Sequence, residues 1–520
     1  MPARSPRRVR EAPSRPGAPR ESLVDREQEQ AELVRLRAQA QLRGRPIVAL
    51  LTGRRRVGKT FLLTHAWPSE QLFFFTASRA TPEINRRQLV LDFAAWTGEA
   101  LDPDDYPTWR TVCQLLLSRG RATSRGVTRA RVVVLDEFQY LAEGESGLAQ
   151  VASELNAVLE QRADPSSPRP VLLILAGSAV ATMEALAAGG APLYGRFAWR
   201  YRLAPFTYWH AAKFADFRAL RDRAVAYAIF GGTPRYLAAV DTSRSLSQNV
   251  IDLFLSPHGE LRSLLETALD QEEGLRDANK YRALLGAVSN GCTARNDIAQ
   301  RVGLANDHAL REKLATLVDL GYLDARANVD AKANEATRYA IADPAVRFYH
   351  RFVVPNASAL ARYPGARVWE VAIAPHLDTF MGPEFERMAA QAYDRVGGMT
   401  KRPALPLVER WARWEGVDRA RRSLEIDIVA PLVDGGVMTG AVKWNRAPVG
   451  VGVHHQHMDM LRRAADAGRA WAHAALEGRS PLYYVAAGGF SQKFQDAVEA
   501  SGHAYVCWGL GDVYRDDRGK

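Results

Sequence analysis

An eight-residue glycine loop constrains the fold of this chain more than any other feature of its sequence. Residues 53–60 read GRRRVGKT and fit the pattern GxxxxGK[ST] in full. The loop follows the apolar run Ile47–Leu51 and precedes an apolar helix start at Phe61. Strand, loop and helix in this order are the context that a phosphate-binding loop (P-loop) requires. The sequence therefore predicts an α/β sheet whose first strand ends in this loop.

Three further apolar runs extend the predicted sheet. They are residues 72–75, 132–135 and 171–176, and helical patterns lie between them. Short, fully apolar strands that alternate with helices are typical of a parallel sheet covered on both faces. We therefore predict a P-loop NTPase sheet sandwiched by helices over residues 22–205.

Each residue type in the loop suits the binding of a nucleoside triphosphate. The glycines let backbone N–H groups surround a phosphate, and the helix N-terminus adds its dipole. The ammonium of Lys59 is expected to neutralise the β- and γ-phosphates, and the hydroxyl of Thr60 to ligate Mg²⁺. The sequence thus predicts a site for ATP and Mg²⁺ formed by Gly53, Arg54, Arg55, Arg56, Val57, Gly58, Lys59, Thr60 and Phe61.

Polar residues that follow two of the predicted strands are expected to complete the site. One strand ends in Asp136-Glu137. Asp136 is expected to hold magnesium through its water shell, and Glu137 to orient and polarise an attacking water. Ser178, after the fourth strand, is a candidate sensor of the γ-phosphate. The alternative for all three is that they cap the helices that follow them.

Four motifs together resemble the archaeal-type ATPase family, a branch of the AAA+/STAND P-loop ATPases. Besides the P-loop they are VDRE at 24–27, DEFQYL at 136–141, Gly177-Ser178, and FGGTPRYL at 230–237. The resemblance implies an ATPase whose adenine lies against Val24 to Glu27, including Arg26. It further implies a helical lid over residues 206–272.

The resemblance also assigns roles to lid and core residues. It implies that Pro234 closes the adenine pocket from the lid and that Arg235 is a lid sensor. Arg196 lies in a segment that matches the family's strand-entry motif, which makes it a candidate arginine finger. Arg200 and Arg202 are alternatives, and a structural role stays open for all three.

Residues 273–355 are predicted to form a winged helix-turn-helix. Helical patterns at 293–304 and 307–320 precede Gly321-Tyr-Leu, a polar hairpin and a β pattern at 338–341. The second helix carries two basic and three acidic side chains, a weak basis for phosphate contact. DNA binding and a protein-docking or lid-bracing role therefore both stay open.

For residues 361–520 the resemblance implies a restriction-endonuclease-like domain. Asp427 and Lys443 match the metal-binding acid and the water-polarising lysine of a PD-(D/E)xK nuclease. The second acid should stand at 441, where this chain has Ala441. Magnesium relies on carboxylates, so a degenerate nuclease fold is expected, with Asp427 and Lys443 retained as a buried ion pair.

Neighbouring polar residues leave two questions about this domain. Glu425, Glu384 or Glu386 are candidate replacements for the missing acid, Glu384 being included with Asp427 and Lys443 as a nuclease remnant. Three histidines at 454, 455 and 457 are interpreted as a solvated helix start rather than a metal site.

Composition and charge indicate in which compartment the protein works and which partners it contacts. The formal net charge is +11, and residues 1–21 form a Pro- and Arg-rich stretch predicted to be a disordered basic tail. This tail is interpreted as a solvated extension or a misassigned start, with contact to nucleic acid phosphates as the alternative. The chain has three scattered cysteines, no secretory h-region and no membrane-spanning apolar run. These features predict a cytoplasmic protein without a membrane partner.

Three functions are consistent with the sequence. The first is an ATPase that acts on or near DNA. The second is a nucleotide-gated switch that assembles into a homo-oligomer or with a protein partner, without DNA. The third is an ATP-dependent nuclease that uses the C-terminal domain, which the residue at position 441 disfavours.

Overall fold

The computed structural model describes residues 25–119, 130–161, 170–272, 275, 277–331, 338–397, 405–478 and 480–515. The predicted basic tail and Val24 lie outside the described residues.

The N-terminal half is built on a five-stranded parallel sheet, as predicted. The strand order is β2-β3-β4-β1-β5, and every neighbouring pair is parallel. The strands are β1 (Ile47–Thr52), β2 (Leu72–Thr76), β3 (Arg131–Asp136), β4 (Val171–Gly177) and β5 (Phe197–Arg202). The four apolar runs are confirmed as β1 to β4. β5 lies at the edge of the sheet and is mostly exposed, so its sequence carries no apolar run.

Helices cover both faces of this sheet, which explains why its inner strands are apolar throughout. They are α1 (Glu27–Arg43), α2 (Lys59–His65), α3 (Pro82–Thr97), α4 (Trp109–Ser118), α5 (Gly144–Glu160) and α6 (Val180–Ala185). Alternate residues of β1 point to opposite faces. Val48 and Leu50 pack in one core with α3, α4 and α5, whereas Ala49 and Leu51 pack in the other with α1 and α2.

A helical segment follows the sheet. It contains α7 (Tyr208–Phe214), α8 (Leu220–Phe230), α9 (Pro234–Leu237), α10 (Leu246–Val250), α11 (Glu260–Glu266), α12 (Ala278–Ser289), α13 (Arg295–Val302) and α14 (His308–Asp319). An antiparallel pair, β6 (Leu323–Arg326) and β7 (Arg338–Ile341), comes next. The helices predicted at 293–304 and 307–320 are confirmed as α13 and α14, each shorter by one or two residues at either end.

The C-terminal part contains a second five-stranded sheet, of order β12-β11-β10-β9-β8. β8, β9 and β10 are antiparallel to their neighbours among these three, whereas β10, β11 and β12 run parallel to one another. The strands are β8 (Ala412–Val417), β9 (Ser423–Pro431), β10 (Val437–Lys443), β11 (Leu482–Ala486) and β12 (Tyr505–Gly509). The helices are α15 (Pro344–Phe348), α16 (Ala357–Leu360), α17 (Gly365–Val368), α18 (Leu377–Gly397), α19 (Gly452–Asp466), α20 (Ala470–Ala475), α21 (Gln492–Ala500) and α22 (Leu510–Val513).

One hydrophobic core runs from the helical segment into the second sheet. It begins at Phe206 and ends at Tyr514, and it includes Met388 of α18 and Val485 of β11. The helical segment and the C-terminal sheet are therefore packed together rather than joined by a free linker. None of the described helices is long and apolar enough to span a membrane.

Candidate active site

The glycine loop connects β1 to α2 and packs against the chain that follows β5. Gly53 has φ +151, and a Cβ there would lie 2.7 Å from the carbonyl oxygen of Leu203. Only glycine combines this backbone conformation with so close an approach. At the other end of the loop, a Cβ on Gly58 would lie 3.7 Å from Cγ of Pro234. Pro234 thus stands beside the loop, where a side chain at position 58 would meet it.

Lys59 is held inside the loop. Its ammonium donates to the carbonyl oxygens of Gly53 at 2.6 Å and Arg54 at 3.2 Å. The residue is only 6% exposed. Burial lowers the pKa of Lys59, whereas the carboxylates of Glu137 and Asp136 act to raise it. The buried ammonium of Lys59 is poorly hydrated, so an anionic ligand that enters the loop would stabilise its charge.

Thr60 and Asp136 meet at the start of α2 and the end of β3. The Thr60 hydroxyl donates to Oδ2 of Asp136 at 2.9 Å, and Oδ1 accepts from the backbone N–H of Glu137 at 3.0 Å. Burial raises the pKa of the Asp136 carboxyl, and the hydrogen bond from Thr60 opposes this. A hydroxyl and a carboxylate are the hard oxygen donors that Mg²⁺ prefers. These two residues therefore fit a magnesium ion.

Glu137 is positioned by its backbone and by three donors to one of its oxygens. It has φ 51, in the left-handed region that side-chain-bearing residues rarely adopt. Its Oε2 accepts from the Ser178 hydroxyl at 2.7 Å, from the Ser178 N–H at 3.2 Å and from Nε2 of Gln139 at 2.5 Å. Burial acts to raise the pKa of Glu137, but these hydrogen bonds outweigh it and the pKa lies below its usual value.

The capping alternative does not describe these residues. The short 3-10 helix Phe138–Leu141 has no side-chain cap at Glu137, and α6 has none at its N-terminus. The Ser178 hydroxyl is instead directed at Glu137. Gln139 was not among the predicted site residues. The signal that could have found it is its place two residues after Glu137 in the DEFQYL run.

The three arginines of the loop contact protein groups. Arg54 donates to the carbonyl oxygen of Gly321, pairs with Asp343 at 3.2 Å and stacks on the ring of Tyr322. The other two arginines reach neighbouring segments: Arg55 donates to the hydroxyl of Tyr140 at 2.7 Å, and Arg56 to Oε1 of Gln271 at 2.9 Å. The variable positions of the loop thus tie it to the surrounding elements.

Arg26, in the segment predicted to contact adenine, is buried. Its guanidinium donates to the carbonyl oxygen of Ala204 at 2.7 Å, pairs with Glu29 at 3.2 Å and lies over the ring of Phe206. The segment is therefore anchored to the chain that follows β5.

The candidate sensor and finger arginines have partners away from the Lys59–Glu137 cluster. Arg235 pairs with Glu260 of α11 at 2.5 Å. Arg196 donates to Asn156 at 2.7 Å and pairs with Glu160, both on α5. Of the two alternatives, Arg202 donates to the carbonyl oxygen of Asp319 at 2.7 Å. Among the described contacts, none brings Arg196 or Arg235 to the loop.

The proposed nuclease remnant is occupied by cationic side chains. Lys443 pairs with Asp427 at 3.1 Å, but its side chain is 44% exposed, so the predicted ion pair is buried only at the aspartate. Glu384 is 1% exposed and pairs with Arg347 at 3.3 Å.

Arg413 organises the acids around that pair. It donates to both carboxylate oxygens of Glu386 at 3.0 Å and also pairs with Glu425 and Glu415. Burial raises the pKa of Glu386 to about 7, with Arg413 opposing and Asp427 adding to the rise. A guanidinium thus stands among the carboxylates that were candidates for the missing metal ligand.

The interpretation of the histidines as a solvated helix start is wrong for two of the three. His454 bonds to the hydroxyl of Tyr484 at 2.9 Å and His457 to that of Thr439 at 3.0 Å, and both are buried. Residues three apart share a helix face, and this face of α19 packs on the sheet. His455 alone is exposed. In the described part of the chain, no group of three or more His, Cys, Asp or Glu residues could hold a metal ion.

Comparisons with known proteins place this chain near several others. A family model described as DUF234, archaea bacterial proteins of unknown function, matches residues 349–457. The uncharacterized protein MJECL04 of Methanocaldococcus jannaschii is 21% identical over 380 residues, 71% of this chain and 78% of that protein. The Walker-type ATPase PABY2304 of Pyrococcus abyssi has a TM-score of 0.45 at 19% identity, over 65% of this chain and 98% of its own. The ORC2 protein of Aeropyrum pernix, in ADPNP–ADP complexes, has a TM-score of 0.40 at 14% identity, over 69% of this chain and 95% of its own.

Proposed function

We propose that this protein binds ATP with Mg²⁺ at residues 53–60 and hydrolyses it, as an ATPase of the AAA+/STAND type. One observation carries the proposal. The glycine loop presents a buried ammonium beside a hydroxyl–carboxylate pair, Thr60 and Asp136, whose oxygens lie 2.9 Å apart. A second carboxylate, Glu137, is held next to them by Ser178. Cation, metal ligands and base are the groups that phosphoryl transfer to water needs.

The proposed roles follow from the chemistry of each group. Lys59 binds the β- and γ-phosphates, for which its buried charge is suited. Thr60 and Asp136 would hold Mg²⁺, which neutralises phosphate charge when bound. Glu137 polarises the attacking water. Ser178 holds Glu137 by a hydrogen bond. In this proposal Ser178 senses the γ-phosphate by exchanging that bond for one to a phosphate oxygen.

The adenine pocket is proposed to lie between the N-terminal segment and the lid. The position of Pro234 beside Gly58 and the burial of Arg26 support this placement. The roles of Arg235 as a sensor and Arg196 as a finger require their ion pairs with Glu260 and Glu160 to open. Both pairs are half exposed, so their loss costs about 1 kcal/mol or less.

The work of the ATPase is proposed to be on or near DNA, through a winged helix at residues 273–355. The three helices α12 to α14, followed by the antiparallel pair β6 and β7, support that assignment. The bonds from Arg54 to Gly321 and Asp343 give the loop a direct mechanical link to it. The same link also favours the second candidate, a nucleotide-gated assembly switch without DNA.

Residues 361–520 are proposed to be a restriction-endonuclease-like domain without nuclease activity. The guanidinium of Arg413 and the ammonium of Lys443 neutralise the acids that a metal would need. Magnesium would have to displace these built-in cations, which disfavours the third candidate.

The test is ATP turnover by wild type, Lys59→Ala, Glu137→Gln and the control Lys280→Ala. Lys280 is a half-exposed lysine paired with Asp277 away from the loop. We expect Lys59→Ala to lose nucleotide binding, Glu137→Gln to bind ATP but turn over about 100-fold more slowly, and the control to match wild type. Unchanged turnover in Lys59→Ala would overturn the proposal. Stimulation by single- or double-stranded DNA supports the first candidate, whereas ATP-dependent oligomerisation without stimulation supports the switch.

A further inference from the structure

Gln139 is a buried side chain whose only hydrogen-bonded partner in the described residues is Glu137. It is 6% exposed, and its Nε2 donates to Oε2 of Glu137 at 2.5 Å. Its Oε1 is buried without a hydrogen-bond partner among the described residues. A buried carbonyl oxygen left unpaired costs about 1–3 kcal/mol. For packing alone an apolar side chain of this size would be the better choice, so the amide points to a purpose at Glu137.

The neighbouring strand leaves room for this amide. A Cβ on Gly177, the last residue of β4, would lie 2.5 Å from Oε1 of Gln139 and 2.7 Å from Cγ of Met183. Any larger residue at this position would displace the amide. The amide of Gln139 therefore occupies space that the missing side chain of Gly177 leaves open. Gly177 is the residue immediately before Ser178.

The three donors divide the Glu137 carboxylate into two unlike oxygens. Oε2 accepts from Gln139 and twice from Ser178. No described residue donates to Oε1. The left-handed backbone conformation of Glu137 sets the direction in which its side chain leaves the chain. The three donors to Oε2 hold the carboxylate group in place.

We infer that Gln139 is a positioning residue for ATP hydrolysis, which anchors Oε2 of Glu137 so that Oε1 faces the attacking water. The inference rests on the proposed ATPase function. In the step it serves, the water oxygen bonds to the γ-phosphorus and the bond to the bridging oxygen breaks. That oxygen leaves on ADP, and the proton of the water passes to Oε1. Misplacing the base by a fraction of an ångström slows such a step without changing substrate binding.

The split between kcat and KM separates positioning from a merely structural role. Gln139 lies outside the loop at 53–61 that is predicted to bind the nucleotide, so removing its amide should leave KM unchanged. A misplaced base slows the chemical step alone, and therefore kcat should fall. A packing defect that loosened the whole site would change kcat and KM together.

The experiment measures kcat and KM for wild type, Gln139→Met, Gln139→Glu and the control Gln391→Met. Met keeps the length of the side chain without its donor, whereas Glu places a like charge beside Glu137. The control removes a part-buried glutamine that bonds to Tyr208 and Tyr227 instead. We expect kcat to fall about 10-fold in Gln139→Met and further in Gln139→Glu, while KM stays within about twofold.

A second route guards against a variant that does not fold. Gly177→Ala keeps the amide but displaces it, and is expected to lower kcat with little change in KM. A kcat within about twofold of wild type in the Gln139 variants, a fall in kcat equal to that of the control, or a rise in KM as large as the fall in kcat overturns the inference alone. A wild type without any turnover overturns the proposed ATPase function and the inference with it.

Discussion

The buried ion pair between Arg54 and Asp343 joins the glycine loop to the start of α15, 289 residues later. The two side chains are 14% and 3% exposed. Asp343 also caps α15, because its Oδ1 accepts from the N–H of Ala345 at 2.9 Å. Asp343→Asn keeps an oxygen for this cap and replaces the oxygen that accepts from Arg54 by an uncharged NH2 group. The substitution therefore isolates the ion pair from the helix cap.

The expected cost is about 3 kcal/mol. Removing one partner of a buried ion pair typically costs about 3–5 kcal/mol, because the other charge stays buried. Arg54 would keep its bond to Gly321 and its stacking on Tyr322, which places the cost at the low end of that range. Removing both charges in Arg54→Met/Asp343→Asn should cost less than the two single changes added together, by about 2 kcal/mol.

The assay is equilibrium urea unfolding of the nucleotide-free protein, followed by tryptophan fluorescence. A chain of this size commonly departs from two-state unfolding, so the comparison is between midpoints of the same transition in each variant. Asp324→Asn is the matched control, because Asp324 is about half exposed and its nearest cationic nitrogens are 3.6 Å and 3.7 Å away. It should cost less than about 1 kcal/mol. A cost of Asp343→Asn no greater than the control's, or additivity within about 0.5 kcal/mol, would refute the reasoning.

Two further predictions concern a buried histidine and a crowded glycine. Burial lowers the pKa of His350 to about 4, so its contribution to stability is complete above pH 6.5 and is lost as the pH falls towards 4. The loss amounts to about 2 kcal/mol at pH 5. His350→Phe should remove this pH-dependent loss. If the urea midpoint of His350→Phe falls between pH 7.5 and pH 5 as far as that of wild type, the prediction is wrong. A Cβ on Gly232 would overlap the backbone carbonyl of Phe206, so Gly232→Ala should destabilise the protein by about 3 kcal/mol or prevent its folding. Gly286→Ala, inside α12 with nothing within 4 Å of the new atom, should instead stabilise by about 0.5–1 kcal/mol, and equal thermal midpoints for the two variants would count against the packing argument.

Features encoded within a few neighbouring residues could be predicted from the sequence. Apolar runs bounded by turns predicted four strands of the first sheet, because a strand buried on both faces needs apolar residues throughout. Lys59 and Thr60 follow one such strand, and Asp136 and Glu137 end another. Carboxyl ends of parallel strands lie at one edge of a sheet, so these four residues had to meet once the sheet was parallel. Edge strand β5 lacked this signal because one side of it faces solvent.

Only the tertiary structure decided which distant side chains meet. Gln139 and the N–H and hydroxyl of Ser178 converge on one oxygen of Glu137 because β3 and β4 are neighbours in register. Arg54 lies in a loop whose pattern accepts any residue at that position, and its partner Asp343 stands far along the chain. Likewise the sequence placed acids near Asp427 but did not show that Arg413 neutralises them. Periodicity specifies which face of an element is buried, whereas a charged partner depends on how whole elements dock. For that reason a short motif was enough to predict the chemistry of the loop. Its contacts with distant parts of the molecule, such as the ion pair of Arg54 with Asp343, could not be predicted from the motif.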